Sequence, residues 1–352
     1  MTPRTKENAP SASVDLLALA ECVEQFSSKT VLLLGDFVAD EFQFGEISRV
    51  SREAPVLILR HRETQLVPGG GANAANNLAA LGARVVPVTA VGDDPAGHAL
   101  IGCFRSKRLD VSGILRVRGW TTPTKTRILA GWAHTVGQQV LRVDREPRSR
   151  LPEAIQKKLR STLQAKLRSA HALAVSDYGF GVVSPSLVRE AVSRRKRSLP
   201  VSLDARYNLH AYAKTGVTTA TPNEAELEAL HHASIGQDIG ELTRCGRATL
   251  SELKLRALLV TRGRDGMALF EPGNRLTQIS IYGSDQAIDV TGAGDTVLAA
   301  YTLALACGAS PLEAAHIANI AGGLVVMKRG TATVSREELL RAIRGEASGA
   351  PS

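Results

Sequence analysis

The segment AIDVTGAGDTVLAAYTLA, residues 287–304, sets three small residues, Gly292, Ala293 and Gly294, directly before Asp295 and a long apolar run. Bare backbone lets N–H groups approach an anion, and a helix N-terminus adds its dipole, an arrangement suited to charge on a transferring phosphoryl group. Asp295 at that point can orient a hydroxyl and take its proton as a new bond forms, a role typically contributing about 10² to 10⁴ in rate. A helix cap alone does not call for three consecutive small residues.

Four further constellations carry chemistry, each beside a structural alternative. In PGGGANAANNLAALGA, residues 68–83, Gly69, Gly71 and Ala74 fit G-x-G-x-x-[GA], and Asp93 follows at the end of the next strand. That spacing suits a dinucleotide; the glycines equally let a sugar approach the backbone, with Asn73 hydrogen-bonding to hydroxyls. GDFVAD places Asp36 and Asp40 after the first apolar run, as polyol ligands or caps. In TPNEAELEAL, residues 221–230, Thr221 or Asn223 caps a helix while Glu224 and Glu226 favour its dipole. The same residues suit hydrated magnesium, which is bound through one or two carboxylates and substrate phosphates. TKTR puts Lys125 and Arg127 on one face of a strand, where they grip a phosphate or face solvent. The eight histidines form no H-E-x-x-H pattern, so no catalytic histidine or zinc site is expected.

These residues hang on short apolar runs at 30–36, 83–94, 171–179, 199–206 and 257–266, separated by helical patterns. Runs apolar throughout predict strands covered on both faces, hence a doubly wound α/β sheet that is mostly parallel. Several end in polar clusters, and ligands of such sheets bind beyond the carboxyl ends of the strands. Residues 41–67 and 114–144 instead show period-two β patterns and are expected to pair as a small sheet forming a lid. The spacing predicts one domain over 14–345, with a disordered tail at 1–13 and a short tail at 346–352.

A net charge of +9 suits phosphorylated substrates. The basic runs, such as SRRKR at 193–197, are short and interleaved with acids, so solvated helix faces are expected and nucleic acid is not. Cysteines 22, 103, 245 and 307 lie far apart with no metal spacing, pointing to reduced thiols and a cytoplasmic protein. No apolar run reaches the roughly 18 residues a membrane span needs, and VDLLALAECVEQF carries acids that suit an amphipathic helix rather than a signal peptide.

DVTGAGDT and PGGGANAANNLAALGA resemble the C-terminal and N-terminal signatures of the ribokinase-like sugar kinases, the phosphofructokinase-B family, over about Val31 to Ile343. Within it, LAVSDYGFG, TPNEAELEAL, LLVTRGRDGMALF and RGTATVS are most similar to bacterial D-glycero-β-D-manno-heptose 7-phosphate kinases, the kinase half of ADP-heptose synthesis enzymes. The resemblance implies a Rossmann-type sandwich with a lid, Asp295 as catalytic base, and Gly292, Ala293 and Gly294 as anion hole. It assigns Asn223, Glu224, Ala225, Glu226, Thr261, Gly263 and Gly266 to ATP, with Glu226 toward Mg2+ through water. Asp36, Asp40, Gly69, Gly70, Asn73, Lys125, Arg127, Asp177 and Arg206 are assigned to the acceptor. Asp289 and KRGTATVS are candidates for a monovalent cation such as K+. Two positions depart from the heptose kinases: Phe180 replaces the lysine of S-D-Y-x-K-G, and DARY, with Arg206, replaces D-P-K-G. Nothing after residue 330 resembles the H-x-G-H nucleotidyltransferase half, so phosphorylation alone is expected. The alternatives are another sugar, sugar phosphate or nucleoside as acceptor, a sugar sensor without turnover, and an NAD-dependent oxidoreductase built on GGGANA. A lid-to-lid homodimer is the expected assembly.

Overall fold

A computed structural model describes residues 14–131, 138–193, 195, 198–283, 286–328 and 330–347. The expected disorder of 1–13, the whole of 348–352, and Arg194, Lys196 and Arg197 of the basic run lie outside the described residues. The chain runs α1 (Leu16–Glu24), β1 (Thr30–Gly35), β2 (Phe37–Val50), β3 (Leu57–Gly70), α2 (Gly71–Ala80), β4 (Arg84–Gly92), α3 (Pro95–Ser106), β5 (Ile114–Val117), β6 (Thr124–Gly131) and β7 (Gln138–Arg145). It continues α4 (Glu153–Leu167), β8 (Ala172–Asp177), α5 (Pro185–Val192), β9 (Val201–Ala205), β10 (Thr219–Ala220), α6 (Glu224–His231) and α7 (Ile239–Glu252). β11 (Ala257–Thr261), β12 (Met267–Glu271), β13 (Arg275–Ile279), α8 (Ala293–Ala306), α9 (Pro311–Val326) and α10 (Arg336–Ala347) complete it.

Nine strands form the central sheet in the order β13-β12-β11-β10-β9-β8-β1-β4-β5. All pairings from β11 to β5 are parallel, and β12 and β13 add an antiparallel edge. Side chains of β1 alternate between two cores. Val31 and Leu33 join α1, α2, α3, α8, α9 and α10 on one face, and Leu32 and Leu34 join α4, α5, α6 and α7 on the other. Burial on both faces is why β1 reads as an unbroken apolar run.

The second sheet is β3-β2-β6-β7. β2 starts buried at Phe37 and ends exposed at Val50, so one strand is rooted in the body and reaches out as lid. It pairs antiparallel with β3 and parallel with β6. The expected lid boundary at 114 needs correction, because β5 extends the central sheet beside β4. Its Leu115 and Val117 are buried while Arg116 is exposed, the alternation of an edge strand. The expected C-terminal tail also starts later, since Glu346 and Ala347 belong to α10. The β12–β13 hairpin was not among the expected elements.

Candidate active site

Asp295 sits in the first turn of α8, 3% exposed. Its Oδ2 accepts from the Asn73 side-chain amide at 2.8 Å and its Oδ1 from the Tyr178 hydroxyl at 3.2 Å. Burial raises its pKa from 3.8 to about 7, against the two hydrogen bonds, which favour the ionised form. Asn73 is held in turn by the Asn77 side chain, whose Oδ1 accepts from the Thr296 hydroxyl at 2.9 Å, so a buried polar chain locks α2 to α8.

Gly292 caps α8 at φ +79°, and a Cβ there would stand 2.5 Å from Asn73 Nδ2. Both the left-handed backbone and the close amide demand glycine. The other glycine turn serves neighbours as well: a Cβ on Gly69 would overlap the Asp40 carboxylate, and Gly70 has φ +54°. This turn follows lid strand β3 rather than the first βα unit. Asp93 is exposed and already paired with His98 and Arg116, so the ribose-binding acid that the dinucleotide reading needs is engaged elsewhere.

The acids after β1 and β8 are employed differently from expectation. Asp36 is fully buried, and its oxygens accept from the backbone N–H groups of Tyr178, Phe180 and Val182 at 2.9–3.0 Å. It anchors the loop after β8 instead of meeting the acceptor. Burial pushes its carboxyl up, as does nearby Asp177. Asp177 itself accepts from Gly179 N–H at 2.9 Å and from the Tyr212 hydroxyl at 2.5 Å, which fixes the same loop. Asp40, 5% exposed, pairs with Arg127 of β6 at 2.5 Å, bringing these two residues together at the lid root. Lys125 places Nζ 5.4 Å from the centre of the Tyr178 ring. Burial lowers its pKa, followed by the charge of Arg206.

Beyond Asp295 opens a cleft of about 530 Å³ lined by Tyr178, Asp204, Arg206, Asn223, Glu226 and Gly294, among others. A mainly apolar cavity of about 180 Å³ adjoins it, lined by Gly263, Gly266, Met267, Val297, Asn319 and Gly323. Thr261, Val290 and Gly294 border both. Thr261, Gly263 and Gly266 thus gather round a space suited to an apolar-faced base, and Asn223, Ala225 and Glu226 line the cleft suited to phosphates. Asn223 and Glu226 form a reciprocal capping box at 2.8 and 2.9 Å, which spends one Glu226 oxygen. Glu224 turns to Arg262, 2.6 Å away and 8% exposed, which also donates to Gly236 O. It braces the base-side turn rather than facing the cleft.

Among the described residues no group of three or more His, Cys, Asp or Glu is arranged to hold a metal ion by itself. The cleft instead suits magnesium that keeps most of its waters and takes one or two carboxylates along with phosphates. Burial raises the pKa of both Asp204 and Glu226, Glu226 further raises that of Asp204, and the nearby charge of Arg206 opposes the rise in both. Asp289 accepts from Thr291 N–H at 2.9 Å and Gly330 N–H at 3.0 Å. Burial pushes its carboxyl up, but these hydrogen bonds win and hold it below the usual range. Arg329 of the neighbouring KRGTATVS segment lies outside the described residues.

Tyr178, Asp204, Arg262, Asn77 and Thr296 were not singled out from the sequence. Tyr178 lies within LAVSDYGFG and Asp204 within DARY, stretches marked for Phe180 and Arg206 instead.

A buried carboxyl in the first turn of a helix, set beside a two-chambered cleft on a lidded α/β sheet, is the arrangement of the ribokinase-like fold. Solved structures share that architecture. Phosphofructokinase-2 from Escherichia coli in complex with potassium has TM-score 0.73 at 19% identity, covering 91% of this chain and 99% of that one. Ribokinase of Arabidopsis thaliana complexed with ribose and ATP has TM-score 0.69 at 20% identity, covering 90% and 99%. Residues 33–338 match the model of the pfkB family carbohydrate kinases, and the chain belongs to that family. It is therefore a phosphotransferase, and the oxidoreductase reading is overturned. Bifunctional protein HldE of Geobacter sulfurreducens is 39% identical over 310 residues, 88% of this chain and 62% of that protein. HldE of Caulobacter sp. (strain K31) is 40% identical over 339 residues, covering 93% and 65%. The chain spans less than two thirds of the length of these relatives. Among the described residues no helix is long and apolar enough to cross a membrane, and all four cysteines are free.

Proposed function

We propose that the chain transfers the γ-phosphate of ATP to D-glycero-β-D-manno-heptose 7-phosphate, giving the 1,7-bisphosphate. The observation that carries this reading is the buried Asp295, poised at about pH 7 between the phosphate cleft and the lid root. A base with that pKa is ionised in useful amount at neutral pH and still basic enough to accept a proton. Asp295 takes the proton of the attacking hydroxyl as it bonds to the γ-phosphorus, and the backbone N–H groups of residues 292–294 face the charge on the transferring group. Positioning and charge stabilisation dominate such transfers.

The acceptor lies between Asp40, Asn73 and the lid. Lys125, Arg206 and Arg142 lie near enough that the two arginines both depress the lysine pKa. Such a cationic setting suits an acceptor already carrying a phosphate. Mg2+ bound with ATP would supply charge neutralisation at the phosphates, and Glu226, with Asp204 lining the same cleft, would hold it through water. Asp289 and residues 328–335 form the proposed K+ site. Closure of the β2-β3-β6-β7 sheet excludes water from the transfer.

A second acceptor, another sugar phosphate, is favoured by one observation: Phe180 stands where the resembling kinases carry a lysine, on a loop pinned to Asp36. The assay is ADP release with Mg-ATP and K+ over heptose 7-phosphate, fructose phosphates, ribose, fructose and nucleosides. Turnover confined to heptose 7-phosphate supports the proposal. Turnover of another acceptor with heptose 7-phosphate inert replaces it, and no turnover with any acceptor returns the sugar-sensor reading.

Exposed Val56 and Leu57 at the β2–β3 hairpin and Val140, Leu141 and Val143 on β7 support a homodimer through the lid. Light scattering should give twice the 37.4 kDa chain mass, and a monomer at micromolar concentration would count against it. Free thiols and an ATP-dependent reaction fit a cytoplasmic protein.

A further inference from the structure

We propose that Tyr178 is a positioning residue that works from both ends, its hydroxyl aiming the Asp295 carboxylate and its ring seating Lys125. The inference rests on the reading of Asp295 as base and assigns a role to a residue of the SDYGFG stretch that carried none above.

Tyr178 follows β8 in a loop whose place is set from beneath. Its own N–H donates to Asp36 Oδ2 at 3.0 Å, as do the N–H groups of Phe180 to Oδ2 and Val182 to Oδ1 at 2.9 Å. Three donors on one fully buried carboxylate leave this backbone little freedom. From that fixed point the hydroxyl reaches Asp295 Oδ1 at 3.2 Å while Asn73 takes Oδ2. A carboxylate gripped at both oxygens cannot rotate about its Cβ–Cγ bond, so its remaining lone pairs keep one direction. The Lys125 Nζ lies 5.4 Å from the ring centre, within the range of a cation–π contact.

The groups facing Asp295 come from every neighbouring element: Asp40 on β2, Asn73 on α2, Lys125 on β6, Asp204 and Arg206 at the end of β9, and Glu226 of α6 across the cleft. Asp40 disfavours its ionised form and Lys125 favours it. Tyr178 is kept a neutral donor: burial raises its own pKa well above the usual value, and Asp295 and Asp204 add to this. It therefore steers the base without replacing it.

The test compares Tyr178→Phe with Tyr178→Leu, each beside Asp295→Asn, on whichever acceptor the panel identifies. Phe keeps the ring and removes the hydroxyl. Its kcat should fall roughly 10- to 100-fold, the worth of a hydrogen bond to a charged group, with KM for ATP unchanged. The acid limb of kcat/KM should move up by roughly one pH unit, since a donor that favours the carboxylate is gone. Leu should add a several-fold rise in the acceptor KM through the loss of the seat for Lys125. Incorporating 3-fluorotyrosine at position 178 makes a stronger donor of nearly equal size and should move the limb down. A Phe variant with wild-type kcat and an unmoved limb, while Asp295→Asn is inactive, overturns the proposal alone. An active Asp295→Asn variant overturns the reading of the base beneath it.

Discussion

Replacing Asp295 by Asn should cost activity and add stability in one step, and the size of the second effect follows from the burial of the group. The carboxyl titrates at about 7 in the fold against 3.8 in its ordinary state, a rise of about 3 units. At about 1.4 kcal/mol per unit, ionising it in place costs about 4 kcal/mol. The group binds its proton more tightly folded than unfolded, so its stabilising contribution is complete below about pH 4 and is lost as pH rises through about 7. Asparagine has the same shape, accepts from Asn73 through its oxygen and donates to the Tyr178 hydroxyl through its amide. The variant should match the wild type near pH 4, exceed it by about 2 kcal/mol near pH 5.5 and by about 4 kcal/mol above pH 7. Summing about 2.1 cal/mol/K per residue over the chain, 4 kcal/mol corresponds to a Tm higher by about 5 °C. Thermal unfolding at pH 5.5, 7 and 8.5 reads the gap, and ADP release reads a turnover lowered by about 10² to 10⁴. A variant no more stable at pH 8.5 than the wild type would show that Asp295 does not bear the burial described. Retained turnover would remove it from the chemistry.

The wild-type kcat/KM should fall as pH drops through about 7, because the base is then protonated; a limb near 4 in a pH-rate profile would contradict the assignment. Gly292→Ala should lose roughly 1–2 kcal/mol from the left-handed backbone alone and at least tenfold in kcat, since its Cβ displaces the Asn73 amide; the paired readouts are Tm and turnover. Arg262→Ala should raise the KM for ATP and lower stability by about 2 kcal/mol, because Glu224 and Gly236 O lose the buried guanidinium that ties α6 to the turn after β11. Urea unfolding and ATP titration check this, and an unchanged KM would detach that brace from the nucleotide site.

What the sequence made legible is what neighbours in the chain decide. The apolar runs of β1, β4, β8, β9 and β11 and the capping box of Asn223 with Glu226 are local patterns, and all appear in the fold. The small residues before Asp295 were equally readable, because backbone exposure is a property of residue type. Partnerships across the chain were not. Tyr178 meets Asp295 over a separation of 117 residues, and Thr296 meets Asn77 over 219. Nothing in either segment marks the other. Asp36 and Asp40 look equivalent after β1, yet one is swallowed by the loop after β8 and the other stands at the lid root. The direction of a side chain at a strand end depends on the twist of neighbouring strands. Period-two alternation likewise could not distinguish β5, an edge of the central sheet, from a lid strand, since both bury only one face.

The most direct test of phosphoryl transfer through Asp295 follows the label from γ-³²P-ATP in the presence of heptose 7-phosphate, with mass spectrometry of the sugar product and Asp295→Asn in parallel. The account predicts label in a heptose bisphosphate for the wild type and almost none for the variant. Label released only as inorganic phosphate, or bisphosphate formed equally by both proteins, would contradict it.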